Sequence, residues 1–171
     1  SMGGMLAHIR MLVSSDKIPG SEAILEKIDQ SILEMRRISR NLMPETLKKL
    51  GLQIALGELC ESMSFHLFRI QFEAYSLTDN IPFQTQLALY RISQEAISNI
   101  IKYAHASNVI VQVSQHGNSL SLTIEDDGIG FIRSEIVQGL GLSNIENRVR
   151  LINGTVDIIS ATGQGTTSNI E

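Results

Sequence analysis

The stretch IEDDGIGF, from Ile124 to Phe131, places two adjacent carboxylates before two glycines at the end of an apolar, alternating segment. Glycine allows backbone conformations with positive φ and lets a planar ligand approach the chain closely. A carboxylate in such a turn accepts hydrogen bonds, and an exocyclic amine such as that of adenine is a suitable donor. Two acids at a strand end are by themselves usually a solvated turn, so the flanking sequence has to decide between these interpretations.

The composition of the chain narrows the possible classes of protein. Its 171 residues are 43% hydrophobic and 19% charged, which fits one globular domain with a small appendage. A net charge of −4 provides no basic surface for nucleic acid. Because Cys60 is the single cysteine, neither an internal disulfide nor a cysteine-based metal site can form. No apolar run approaches the roughly 18 residues of a membrane span, and no signal peptide is visible, so we expect a soluble chain.

The first part of the chain has the periodicity of two helices with a break at Pro19 and Gly20. Ser21 is a suitable N-cap for the second helix. The apolar seam of that helix has coiled-coil spacing and comprises Leu25, Ile28, Ile32, Met35 and Leu42. The shorter apolar face before the break comprises Met5, Leu6, Ile9, Leu12 and Val13. Such a hairpin cannot bury its seam alone, so we predict a homodimer through these N-terminal helices, as a four-helix bundle.

Pro44 ends the long helix because proline lacks a backbone donor and clashes with the preceding turn. We therefore divide the chain into a helical hairpin at residues 1–44, a linker at 45–50 and a second domain at 51–171. In this domain the patterns predict helices near 52–64, 83–104 and 143–152, and strands near 69–74, 108–115, 119–126, 155–160 and 166–170. Helices mixed with antiparallel strands predict an α+β fold, a two-layer sandwich with the helices on one face of a sheet.

The long helix at 83–104 carries a polar stripe of mixed chemistry. Its core-facing candidates are Leu87, Ala96, Ile97, Ile100, Tyr103 and Ala104. The stripe on another face comprises Arg91, Glu95, Asn99 and Lys102. Magnesium prefers oxygen ligands, which a carboxamide and a nearby carboxylate supply, and lysine or arginine binds phosphate. An ordinary solvated helix face would have a similar composition, so the stripe alone does not decide between a metal-phosphate site and a surface.

A second glycine motif, GLGLSNIENRV, places Gly139 and Gly141 at the start of a predicted helix. Backbone N–H groups at the N-terminus of a helix suit an anionic phosphate. The motif is not a P-loop, because no Gly-Lys-Ser or Gly-Lys-Thr follows, and no parallel βαβ unit surrounds it as in a dinucleotide-binding fold. The motif alone is therefore weak evidence for a phosphate site.

The order of these motifs resembles the ATP-binding fold shared by gyrase, Hsp90, histidine kinases and MutL. The N box corresponds to QEAISNIIKYAHAS, the first glycine box to EDDGIGF, the second to GLGLSNIENRVRLINGTVDI, and the terminal turn to GQGTT. The upstream segment RNLMPETLKKLGLQIALGEL is similar to bacterial sensor histidine kinases related to the nitrate/nitrite sensors. The resemblance covers nearly the whole chain and implies ATP and Mg²⁺ as cofactors.

The resemblance also implies a role for individual residues. At the metal end, Asn99 is the magnesium ligand, and Glu95 acts through a metal-bound water or assists proton transfer; these two are the implied catalytic residues. Asp126 accepts a hydrogen bond from the adenine amine, and Asp127 occupies a variable position. The other implied ATP-binding residues are Lys102, Gly128, Gly130, Gly139, Gly141, Leu142, Gly165 and Thr166. About eight residues separate Gly130 from Gly139, so the implied ATP lid is short.

The phosphoacceptor motif of the family, a His-Asp pair before an apolar helix, is missing. GGMLAHIRML resembles the continuation of that helix, which places the phosphoacceptor at or before Ser1-Met2, a pair typical of a cloning scar. His8 has no acid after it and fits a polar position on a bundle helix. We therefore expect a fragment that binds ATP without phosphorylating itself on histidine.

For the intact protein the resemblance implies transfer of the γ-phosphoryl group to that histidine and then to an aspartate of a response regulator. The expected regulator has a LuxR-type helix-turn-helix output, and the expected parent is an inner-membrane sensor that reaches the membrane only through segments upstream of this chain. Two alternatives remain open. One is a serine kinase like the anti-sigma factors, which has no need of the N-terminal hairpin. The other is a non-catalytic dimeric ATP-binding module, which would be favoured if residues of the N box or of the glycine boxes were lost.

Overall fold

The computed structural model describes residues 45–65, 68–78, 80–132 and 140–171. The chain divides into two compact units, Ser1–Pro44 and Glu45–Glu171. The first unit lies outside the described residues, and with it the predicted helical hairpin, its dimer and the interpretation of His8. Gly139 of the second unit also lies outside the described residues. Within the described part of the chain, no helix combines the length and apolar character needed to cross a membrane.

The described residues of the second unit form three helices and a sheet of five strands. The helices are α1 at Glu45–Met63, α2 at Phe83–Asn99 and α3 at Leu140–Leu151, and a π-helical turn at Ile100–Ala104 extends α2. The strands are β1 at Arg69–Tyr75, β2 at Asn108–His116, β3 at Ser119–Asp126, β4 at Val156–Ser160 and β5 at Thr166–Ile170. Their spatial order is β1-β2-β3-β5-β4. The predicted α+β fold is confirmed.

The sheet is mixed rather than wholly antiparallel. The pairs β2-β3, β3-β5 and β4-β5 are antiparallel as predicted. The pair β1-β2 is parallel, because α2 carries the chain from one strand to the next over the face of the sheet. The prediction of antiparallel strands was therefore wrong for this pair, although the helix predicted at 83–104 between its two strands is the crossover that a parallel pair needs.

One face of the sheet carries the core. Along β2 the side chains of Val109, Val111 and Val113 are buried, and those between them are exposed or half-buried. On β3 the partners of this row are Asp126, Ile124 and Leu122. The helices cover this face, with α1 against β1, α2 against β3, and α2 between α1 and α3. A carboxylate, Asp126, thus takes a place in the buried row.

Helix α1 bends sharply at Gly51, where φ is +80°. The segment before the bend folds back, because the Thr46 hydroxyl donates to a carboxylate oxygen of Glu58 at 2.8 Å, twelve residues further along the chain. Leu47 in this segment is buried with the core. Residues 45–50, predicted as a linker, are therefore helical and belong to the second compact unit, while the predicted domain division itself stays a prediction.

The predicted helix at 83–104 changes its hydrogen-bonding pattern after Asn99. The α-helix ends there, and the π-helical turn Ile100–Ala104 follows. Ala96, Ile97 and Ile100 are buried as expected, but Tyr103 is 68% exposed. A π-helical turn places more residues in each turn than an α-helix, so the register of the faces shifts after Asn99. The prediction that Tyr103 faces the core was wrong for this reason.

Candidate functional site

The buried carboxylate of Asp126 lies at the end of β3, with only 4% of the residue exposed. In the sheet it stands between Val109 of β2 and Thr166 of β5. The backbone N–H of Gly128 donates to its Oδ1 at 2.9 Å. Burial raises the pKa of Asp126 above its usual value, against the lowering effect of hydrogen bonds from Gly128 and Thr166. A carboxylate held in this way is a hydrogen-bond acceptor at the edge of the core.

Glycines allow neighbouring segments to pass close to Asp126 and to the loop that follows it. A Cβ on Gly128 would collide with the carbonyl oxygen of Ala104 and lie 2.7 Å from Asp126 Oδ1. A Cβ on Gly165 would collide with the carbonyl oxygen of Asp126. Gly130, with φ of +59°, lies equally close to the backbone of Ala161. Any side chain at these positions would force the strand ends and the loop apart, so the sequence DxGxG is required by the packing.

Asn99, at the end of α2, lies against the first turn of α3. A Cβ on Gly141 would lie 2.6 Å from Nδ2 and 2.9 Å from Oδ1 of Asn99. Only a glycine lets α3 approach this carboxamide so closely. Asn99 of the N box and Gly141 of the second glycine motif, 42 residues apart in the sequence, are therefore in direct contact.

The π-helical turn joins this contact to the glycine loop. It begins directly after Asn99 and ends at Ala104, whose carbonyl oxygen accepts a hydrogen bond of 2.8 Å from Ile129 N. His105 then reverses the chain with φ of +51°. Lys102 is exposed on the turn. π-helical turns occur frequently at functional sites, and this one fixes the distance between Asn99 and the loop that carries Asp126.

Glu95 lies one helical turn before Asn99 on α2 and is half-buried. One further turn back, a guanidinium nitrogen of Arg91 donates to Gln94 Oε1 at 2.8 Å. Burial is the main cause that lowers the pKa of Arg91, and Arg148 of α3 adds to the effect. Three members of the predicted stripe, Arg91, Glu95 and Asn99, are thus half-buried, while Lys102 is exposed.

The second acid of the motif, Asp127, is exposed but holds two segments together. Its Oδ1 accepts hydrogen bonds from the backbone N–H groups of Ser107 at 2.7 Å and Asn108 at 2.9 Å. Its Oδ2 accepts one from Asn108 Nδ2 at 2.7 Å. These bonds, above all that from the Asn108 N–H, lower the pKa of Asp127. The assignment of Asp127 to a variable position gave no indication of these hydrogen bonds, because their donors lie about twenty residues away in the sequence.

A serine that belongs to none of the sequence motifs also contacts the site. Ser160, the last residue of β4, accepts a hydrogen bond from Phe131 N at 2.9 Å and donates to the carbonyl oxygen of Gly165 at 2.9 Å. Its hydroxyl lies 3.0 Å from that of Thr166. The pairing of β4 with β5 places Ser160 opposite Thr166, which no local pattern could indicate.

The predicted residues therefore form two groups. The group around the carboxylate, which we name the base end for the role that we propose below, comprises Asp126, Gly128, Gly130, Gly165 and Thr166. The other group, which we name the phosphate end for the same reason, comprises Asn99 and Gly141, which lie in contact, with Leu142 beside Gly141 on the same turn of α3. Glu95 is one turn away from Asn99, and Lys102 is on the connecting turn. Among the described residues, no three histidine, cysteine, aspartate or glutamate side chains form a metal cluster.

Comparison with known proteins agrees with this arrangement. Residues 84–171, more than half of the chain, match the family of histidine kinase-, DNA gyrase B- and HSP90-like ATPases. The sensor histidine kinase ComP of Bacillus subtilis (strain 168) is 33% identical over 150 residues, which are 85% of this chain and 20% of ComP. The oxygen sensor histidine kinase NreB of Staphylococcus carnosus (strain TM300) is 30% identical over 161 residues, or 90% of this chain and 45% of NreB.

A solved structure shares the fold. The histidine kinase domain of a blue-light activated histidine kinase from Erythrobacter litoralis superposes with a TM-score of 0.55 at 21% identity, over 70% of this chain and 59% of that one. This chain spans less than half the length of the two curated relatives above. From residue 84 onward, the chain belongs to the histidine kinase-, DNA gyrase B- and HSP90-like ATPases and contains the ATPase domain of a two-component sensor histidine kinase.

Proposed function

We propose that this chain binds ATP with Mg²⁺ and is the catalytic portion of a sensor histidine kinase of the nitrate/nitrite-sensor-like group. The observation that carries the proposal is the buried Asp126 carboxylate, bordered by Gly128 and Gly165, at the end of a sheet whose neighbouring helix brings Asn99 against Gly141. Base recognition and phosphate binding need these two ends at a fixed separation. The π-helical turn between Asn99 and Ala104 supplies that separation.

At the base end, Asp126 accepts a hydrogen bond from the adenine amine. Its Oδ1 already accepts from Gly128 N, which leaves other lone pairs of the carboxylate for the ligand. Gly128 and Gly130 have no side chain to obstruct a planar base beside the loop. A base that presents a carbonyl oxygen instead of an amine would face the carboxylate with two acceptors, so guanine is disfavoured.

At the phosphate end, the donor chemistry of the residues fits magnesium. The carboxamide oxygen of Asn99 would hold the ion, with Glu95 acting through a bound water, since magnesium retains several waters and uses few protein ligands. The ion when bound neutralises charge on the phosphate oxygens. Lys102 on the π-helical turn meets a phosphate oxygen, and Gly139, Gly141 and Leu142 form the lid on that side.

The activity proposed for the intact protein is transfer of the γ-phosphoryl group to a histidine and then to a response-regulator aspartate. Support comes from the relatives, of which ComP and NreB are sensor histidine kinases. The proposed assembly is a homodimer through the N-terminal helices, and the proposed partner is a response regulator with a LuxR-type output. Contact with a membrane would occur only through segments of the parent upstream of residue 1.

Titration calorimetry of the 171-residue chain tests the proposal. We expect ATP with Mg²⁺ to bind at one site per chain, and GTP to bind at least about tenfold more weakly, because one lost or repelled hydrogen bond to a charged group costs about 1.5–3 kcal/mol. Omission of Mg²⁺ should weaken ATP binding. The absence of binding, or equal affinity for ATP and GTP, would contradict the proposal.

A further inference from the structure

The hydroxyl of Ser160 connects three segments of the site. It accepts a hydrogen bond from Phe131 N at 2.9 Å and donates to the Gly165 carbonyl oxygen at 2.9 Å. It also lies 3.0 Å from Thr166 Oγ1, where either oxygen can be the donor. Phe131 directly follows the glycine loop and begins the stretch between the two glycine motifs. Ser160 therefore contacts both the start of this stretch and the strand that borders the base end.

Thr166 extends this set of contacts to the carboxylate. It pairs with Asp126 across β3 and β5, and its side chain forms a hydrogen bond to the Asp126 carboxylate. Hydrogen-bonding contacts thus run from Phe131 N–H through the hydroxyls of Ser160 and Thr166 to Asp126, and the chain is continuous when Ser160 donates to Thr166 Oγ1 instead of to the Gly165 carbonyl. Ser160 itself does not touch the carboxylate, so any effect on it passes through Thr166.

The protons of the two hydroxyls determine the direction of this chain. Each hydroxyl has one proton to donate. When Asp126 is ionised, Thr166 donates its proton to the carboxylate, and Ser160 can then donate to Thr166 Oγ1 or to the Gly165 carbonyl. In the first case every donor from Phe131 N–H onward points toward Asp126. Hydrogen bonds aligned in this way polarise and strengthen one another.

We propose that Ser160 is a positioning residue of the adenine site: through Thr166 it orients the Asp126 carboxylate, and it anchors the stretch that begins at Phe131. The inference rests on the proposed ATP-binding function. Its consequence is that binding of the base should affect the Phe131 amide, because the Ser160 hydroxyl contacts both Thr166 and Phe131 N.

A double-mutant cycle tests the route through Thr166. We expect Ser160→Ala to weaken ATP binding by about three- to tenfold, the range of one or two neutral hydrogen bonds. Ser160→Thr keeps the hydroxyl and should bind within about twofold of the unsubstituted chain. In a Thr166→Ala background, Ser160→Ala should weaken binding by a clearly smaller factor than in the unsubstituted chain, because the path to Asp126 is already broken.

Ser121→Ala is the matched control, since Ser121 lies on β3 at the opposite end of the strand from Asp126 and is likewise half-buried. It should leave ATP affinity unchanged. A purely structural role for Ser160 would lower the melting temperature in both backgrounds and give independent, multiplicative losses of affinity, which would overturn the inference. Equal ATP affinity of Ser160→Ala and Ser121→Ala would also overturn it.

The failure of the inference and that of the proposed function are distinguishable. If the unsubstituted chain binds no ATP, the proposed function is wrong; if it binds ATP and Ser160→Ala binds equally well, only the inference is wrong. Should Ser160→Ala not fold, Ser160→Cys with its weaker donor carries the same cycle. Hydrogen exchange adds a second readout: ATP should slow exchange of the Phe131 amide in the unsubstituted chain, and an unchanged rate would contradict the expected effect on that amide.

Discussion

At the base end of the site, Gly128 lies against the Asp126 carboxylate and Gly165 lies against the Asp126 backbone, whereas at the phosphate end one glycine of α3 lies against the side chain of Asn99. The base end is held by backbone hydrogen bonds, by the pairing of β3 with β5, and by Ser160. The phosphate end depends on how one helix approaches another. The difference teaches that, in the proposed site, the residues assigned to base recognition are held by the sheet, while those assigned to phosphate binding depend on the position of α3.

The largest effect is expected from Asp126→Asn, which changes the base end without changing its shape. The amide can still accept from Gly128 N, but the negative charge that attracts the adenine amine is gone. We expect ATP affinity to fall by about 10- to 100-fold, since hydrogen bonds to charged groups contribute about 1.5–3 kcal/mol. Titration calorimetry measures the loss.

Asp157→Asn provides the control, because Asp157 is exposed on β4 and faces away from the buried row. It removes the same charge from the chain and should leave ATP affinity within about twofold, as expected for an exposed charge far from the ligand. If Asp126→Asn bound ATP as tightly as Asp157→Asn, the assignment of the base end would be wrong. An unchanged circular dichroism spectrum would exclude unfolding as the cause of a loss.

A smaller and more selective effect is expected from Gly141→Ala at the phosphate end. The added Cβ would lie 2.6 Å from Asn99 Nδ2, so the carboxamide or α3 has to shift. We expect ATP affinity to fall by about tenfold, a loss of about 1.4 kcal/mol, while affinity for AMP, which lacks the outer phosphates, stays within about twofold. The ratio of the two affinities therefore separates the ends of the site.

Gly57→Ala is the matched control for this substitution. A Cβ on Gly57 in α1 meets only the ring of Phe72, at an ordinary contact distance of 3.5 Å. Alanine is favoured over glycine inside a helix, so this variant should be folded and bind ATP normally. Equal losses of ATP and AMP affinity in Gly141→Ala would contradict the division into two ends, since that result requires the base end to depend on α3 as well.

The sequence predicted the strands around Asp126 better than the connections between them. The fold class and the strands at Ser119–Asp126 and Thr166–Ile170 agree with the structure, because alternating apolar residues and glycine turns are local signals. The π-helical turn after Asn99 was missed, since its apolar pattern differs from that of an α-helix by a shift that five residues cannot display. The parallel β1-β2 pair could have been inferred from the helix predicted between its strands, whereas the contact of Ser160 with Thr166 depends on the pairing of β4 with β5, which no local pattern carries.

The smallest effect is expected from Asp127→Asn, which changes the support of the base end without touching the ligand. Its remaining oxygen can keep the bonds from Ser107 N and Asn108 N, and the side-chain amide of Asn108 can turn to offer its oxygen to the new amide. We expect a loss of about 1 kcal/mol or less in the free energy of unfolding, measured with urea, and ATP affinity within about twofold. Glu125→Gln, at an exposed neighbouring position, is the control.

The pH dependence separates the two adjacent acids. The pKa of Asp127 is lowered in the folded chain, so its contribution to stability is present above the unfolded pKa and is lost as pH falls through the folded pKa. The stability difference between the unsubstituted chain and Asp127→Asn should therefore shrink in acid. For Asp126 the folded pKa is raised, so ionisation opposes folding, and Asp126→Asn should gain relative stability as pH rises through that pKa. Parallel pH profiles for the two variants would contradict the assignment of one acid to recognition and the other to support.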